Sequence, residues 1–153
     1  MTPRFPQRTL RRLASAEGYL ELGMPEHALR ELDKIEQPGQ LAAACDFLAG
    51  QAWMELECYA RAAERLQRAA ETFPVLQSQY AWELLSECFT QCGADDLAEV
   101  AEVAATTVDE IRTRVQNELG AFQHVAVQAG PFSFIAEVLG LVPSRTGWKA
   151  EHN

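Results

Sequence analysis

The chain has 153 residues and a formal net charge of −9, with 13 Lys and Arg against 22 Asp and Glu. That length can bury most of what an unfolded chain exposes, so a single domain needing no disulfide or metal staple is expected, and the acidic body argues against nucleic acid as a main partner. The longest uncharged run, Leu119 to Ala136, holds Gln123, His124, Gln128 and a Gly130-Pro131 break and the N-terminus has no apolar segment behind its charges, so a cytoplasmic protein with no membrane partner is expected.

Residues 1–8 read as a basic arm, with Arg4 and Arg8 in it and Arg11 and Arg12 close behind. From Thr9 to Leu22, the residues Leu10, Leu13, Tyr19, Leu20 and Leu22 recur among Arg and Glu at helical rather than strand spacing, and Gly23 breaks the pattern. Pro25 suits the opening turn of a second helix, where its missing N–H has no partner to lose. Ala28, Leu29, Leu32 and Ile35 then form the apolar stripe, and Gln37-Pro38-Gly39-Gln40 ends it.

A second unit, Ala43 to Pro74, repeats the plan. Phe47, Leu48, Ala49, Gly50 and Trp53 lie on its first helix, Ala62, Ala63, Leu66, Ala69 and Ala70 on its second, and Phe73-Pro74 stops it. The small Gly50 and Ala62 let two helix axes approach while Trp53 and Leu66 fill the space beside them. The third unit carries Trp82, Leu85, Ser86 and Phe89, a turn at Gly93, then Ala98 and Ala105. Because Glu102 interrupts its last stripe, Val100 and Val103 are expected on the buried side.

Thr107-Val108-Asp109-Glu110 has the form of a capping box, which places the start of a seventh helix near residue 108. Ile111, Val115, Leu119, Phe122 and Ala126 form its apolar stripe as far as residue 129, with Arg112, Arg114, Gln116 and Glu118 toward water. A short apolar helix over residues 132–141, around the single charge of Glu137, either folds back on its predecessor or docks in a groove of its own or another copy, and residues 143–153 read as a flexible polar tail.

Aligned on Ala28, Ala62 and Ala98, the units place Tyr19, Trp53 and Phe89 nine residues earlier and the small Ala16, Gly50 and Ser86 twelve residues earlier. A period of 34 and then 36 residues with small and aromatic positions in register is the pattern of a helical solenoid. It resembles the tetratricopeptide repeat family over residues 9–112, with repeats at 9–42, 43–76 and 79–112. The family's opening Trp position is matched by Trp82 and holds Arg12 and Asp46 in the earlier units. The resemblance implies an all-α fold: a right-handed α-α superhelix of three helix-turn-helix repeats, closed by a capping helix and the short apolar helix, as one domain over residues 9–142.

In that family the first helices of successive repeats line a concave groove for a peptide. The positions implied here are Leu13, Glu17, Leu20 and Glu21, then Phe47, Gln51, Met54 and Glu55, then Tyr80, Glu83, Glu87 and Gln91. The family's best-known clamp puts Lys, Arg and Asn at such positions to hold a C-terminal carboxylate; here they are acidic or apolar, which implies a basic and apolar ligand. The alternative is that these glutamates are simply the wet side of their helices. Arg61, Arg65 and Arg68 form a basic stripe on the opposite face, expected to be solvated beside Glu64 and Glu71.

Catalysis has little support. His27, His124 and His152 fall on different elements, no phosphate loop or nucleophile elbow is present, and the four cysteines lack a Cys-x-x-Cys pair and read as apolar filler. No enzyme activity, cofactor or metal is therefore expected. The expected role is a non-catalytic adaptor or assembly module for a peptide or protein segment. Two alternatives are a small export chaperone resembling those of type III secretion, and a self-association module exchanging residues 132–141 or the N-terminal arm in a homodimer.

Overall fold

The computed structural model describes residues 5–119, and these are helical with no strand among them. The helices are α1 (Gln7–Glu21), α2 (Pro25–Asp33), α3 (Ala42–Glu55), α4 (Tyr59–Thr72), α5 (Gln79–Gln91) and α6 (Asp95–Leu119), with short 3-10 turns at Gly39–Leu41 and Val75–Gln77. Each helix packs on its neighbours in the chain, and α1 also reaches α3 as α3 reaches α5. Among the described residues no helix is long and apolar enough to cross a membrane.

The three helix pairs close through the same turn. At the end of α1 the Gly23 N–H donates to Leu20 O at 2.9 Å and the Met24 N–H to Tyr19 O at 2.8 Å. Glu57 and Cys58 repeat this on Met54 and Trp53, and Gly93 and Ala94 on Thr90 and Phe89. This nested pair of bonds is the Schellman motif, which satisfies the last carbonyls of a helix and needs a left-handed residue just beyond it. Gly23, Glu57 and Gly93 take that role, with φ of 67°, 57° and 73°. The aromatic seen at each repeat position is thus the residue whose carbonyl anchors the turn.

Within each pair, small residues meet across the helices. A Cβ placed on Gly50 would fall 2.5 Å from the Leu66 side chain, so the missing side chain is what permits the α3–α4 approach. At the matching place in the third pair the Ser86 hydroxyl donates to Ala98 O at 3.0 Å, tying α5 to α6. The core runs through all three pairs, with Leu13, Leu41, Phe47, Leu48, Leu66, Leu85 and Cys88 fully enclosed.

Several expectations need correction. Gln7 and Arg8 belong to α1 rather than to an arm, and Phe5 packs on the chain's own core. Helix α2 stops at Asp33, before Gln37-Pro38-Gly39-Gln40. In α6 the buried residues are Ala98, Ala101, Ala105 and Val108, whereas Val100 and Val103 are exposed. The stripe keeps its register because the small Ala98, Ala101 and Ala105 let α6 approach α5 closely. No helix starts near residue 108: α6 is continuous, and the Thr107 hydroxyl bonds back to Val103 O at 2.8 Å instead of capping. Arg112, expected toward water, is half-buried and donates to Leu76 O at 2.7 Å, which ties α6 to the turn before α5. The remainder of the expected seventh helix, the apolar helix at 132–141 and the tail at 143–153 lie outside the described residues.

Candidate interaction surface

Repeat register sorts the expected groove residues by side. Leu13, Phe47 and Glu83 share one position; Leu13 and Phe47 are 0% and 2% exposed, while Glu83 is open. Phe47 stands edge-on to Phe73 with ring centroids 6.2 Å apart. Leu13 and Phe47 are therefore core, covered where a further helix pair follows, and cannot contact a ligand. Glu17 is enclosed as well. Leu20 and Met54 are half-buried against the core, and Gln51 is half-buried. Tyr80 is half-buried with the Arg112 guanidinium 5.9 Å from its ring centroid. Glu21, Glu55, Glu83, Glu87 and Gln91 are exposed.

Between α5 and α6 lies an open groove of about 490 Å³ lined by Gln79, Ser86 and Ala105 and by the carboxylates Glu83, Glu87, Glu102 and Asp109, with Thr106 among them. Gln79 Nε2 donates to Glu83 at 2.9 Å, and none of the four carboxylates is in an ion pair among the described residues. The carboxylates form an extended strip: among the described residues no three His, Cys, Asp or Glu side chains are grouped to hold a metal ion. Sequence reasoning missed Glu102, Thr106 and Asp109. The signal was available, since Glu102 aligns with Leu66 and Leu32, and a charge at a position twice filled by leucine marks a change of environment.

The residues aligned with Trp82, namely Arg12 and Asp46, and Trp82 itself fill one inter-helix site in three ways. Arg12 pairs with Glu31 at 2.7 Å, and Lys34 reaches the same carboxylate at 2.6 Å. In the second pair the polarity is exchanged: Asp46 on α3 takes Arg65 at 3.0 Å and Arg68 at 3.8 Å. In the third, Trp82 and the alanines Ala101 and Ala104 occupy these positions. The α4 arginines are thus engaged rather than simply solvated, and Arg61 lies over the Trp53 ring at 4.9 Å. Hydrogen bonds from Lys34 and Arg12 hold the Glu31 carboxyl below the usual carboxylate range.

All four cysteines are free thiols. Burial, helped by the Asp46 carboxylate, pushes the Cys45 thiol up to about 11, and burial, followed by the Glu87 carboxylate and Cys92, pushes Cys88 up to about 12. Such thiols are protonated and unreactive at neutral pH.

In class, these residues make a helical-repeat array of three packed helix pairs with an acidic side. No family model, curated protein or solved structure matches the chain.

Proposed function

We propose that the chain is a tetratricopeptide-like solenoid, a right-handed superhelix acting as a non-catalytic cytoplasmic adaptor. Its ligand is a basic and apolar peptide or protein segment, held along the side shared by α1, α3 and α5. One observation carries this reading: α1 packs on α3 and α3 on α5, so the exposed Glu21, Glu55 and Gln91 hold one matching position of adjoining helices, and the half-buried Gln51 and exposed Glu87 hold another. None of those glutamates is in an ion pair among the described residues, which leaves their charge available to a cationic partner. The half-buried Met54 and Tyr80 add apolar contact beside them.

The test is fluorescence anisotropy with two labelled synthetic peptides, one alternating Arg and Leu and one alternating Asp and Leu. The Arg-Leu peptide is expected to bind and the Asp-Leu peptide not. A Glu55→Lys, Glu87→Lys double variant is expected to weaken Arg-Leu binding by roughly tenfold or more. Equal binding of both peptides, or no change in the double variant, overturns the proposal.

A further inference from the structure

The outer side of α1 is a packing face with nothing on it among the described residues. Ala49 and Ala52 in α3, and Leu85 and Cys88 in α5, are buried at positions that the preceding helix pair covers. The matching residues of α1 are Ser15, which is exposed, and Gly18, where an added Cβ would meet nothing within 4 Å. One turn earlier, Arg11 stands at the place of the buried Ala81, and Arg8 precedes it; both are exposed and outside any ion pair among the described residues.

Among the described residues the far end of the array is open in the complementary way. Leu66 of α4 and Phe73 just beyond its end, 0% and 6% exposed, are enclosed in the α3–α4 pair on which α5 packs. Their counterparts in α6 are Glu102 and Asp109, both exposed in the groove beside Glu83 and Glu87. Among the described residues the register therefore leaves an unfilled helix position at each end, basic on α1 and acidic between α5 and α6.

We infer that a second copy of this chain fills it: α1 of one copy lies in the α5–α6 groove of the next, as α5 lies against α3 and α4 within the chain. Charge complementarity selects this occupant. The apolar stretch at 132–141 carries Glu137 as its single charge and brings no cation to the carboxylates. The contact is heterologous, so it propagates head to tail rather than closing in a twofold pair. Each copy's net charge of −9 opposes approach. At about 0.1 M salt that repulsion is screened beyond ~10 Å while ion pairs at contact distance survive, and at about 1 M screening at ~3 Å removes those too. Glu87 borders both this groove and the side proposed for a peptide, and the two readings are separated by their variants, Arg11 and Glu102 here against Glu55 and Glu87 there.

Light scattering on the full chain across a concentration series tests it. At about 0.1 M salt the average mass is expected to climb with concentration, and at about 1 M to return to that of one chain. Arg11→Glu and Glu102→Arg are each expected to weaken association by roughly tenfold or more, with unchanged melting as proof of folding. Mixed in equal amounts the two variants are expected to associate again, since each supplies the charge that the other now lacks. A wild-type chain that keeps the mass of one copy at all concentrations and both salts overturns the inference, and shows the polar ends to be caps. Association untouched by either reversal, or not recovered on mixing, overturns it equally.

Discussion

At Glu57 the chain turns with φ of 57°, while Gly23 and Gly93 make the same turn at no steric cost. A side chain in this left-handed region costs roughly 1–2 kcal/mol, part of which glycine returns through its freer unfolded state. Glu57→Gly is therefore expected to stabilise the fold by about 0.5–1 kcal/mol, read as a higher urea midpoint at constant m. Two helical glycines respond in opposite senses to one substitution. Gly50→Ala drives a methyl to 2.5 Å from the enclosed Leu66 and is expected to cost about 1–2 kcal/mol net, overpacking outweighing helix propensity. Gly18→Ala enters open space and is expected to gain up to about 1 kcal/mol. Chemical denaturation of the two variants side by side checks both signs.

Among the elements, α6 departs furthest from expectation. Asp95 and Asp96 open it, complementing the helix dipole, and it then runs unbroken through Thr107 to Leu119. Arg112 on this continuation donates to Leu76 O and stacks toward Tyr80, so the extra turns are anchored on the unit's own entry. Continuity is testable with Asp109→Pro. In the first turn of a separate helix proline would be tolerated, whereas in the interior of α6 it is expected to cost about 3 kcal/mol with loss of far-UV helical signal. An unchanged melting temperature and spectrum would mean that the chain does restart there.

Over the whole molecule, charge is organised in two ways. Between helices of a pair it is neutralised locally, as in Arg12, Glu31 and Lys34 and, with polarity exchanged, in Asp46, Arg65 and Arg68. Glu21, Glu55 and Glu87 along the side of α1, α3 and α5, and Glu83, Glu102 and Asp109 in the α5–α6 groove, are in no ion pair among the described residues. The first kind links folding to pH. Because the folded Glu31 carboxyl is depressed, its contribution is present above the ordinary value of 4.5 and is lost as pH falls through the folded value. Glu31→Gln is expected to lower the melting temperature at neutral pH by a few degrees at most, as the pair is near the surface. At about pH 2 the variant and the wild type are expected to melt together.

By itself the sequence determined the helix pairs and their period, because alanine, glycine and serine at fixed offsets record where two backbones meet, and that constraint is local enough to leave a pattern. It determined Pro25 at the start of α2 and the Phe73-Pro74 stop for the same reason. Which residues face a ligand was decided only by tertiary structure. Leu13, Phe47 and Glu83 hold one register position, yet the first two are sealed by a following helix pair and the third is open. Likewise Arg12 and Asp46, which look like departures from a Trp position, become paired once helices distant in sequence supply Glu31 and Arg65. A periodic pattern fixes an orientation about one helix axis, whereas burial and pairing depend on what the next helix brings.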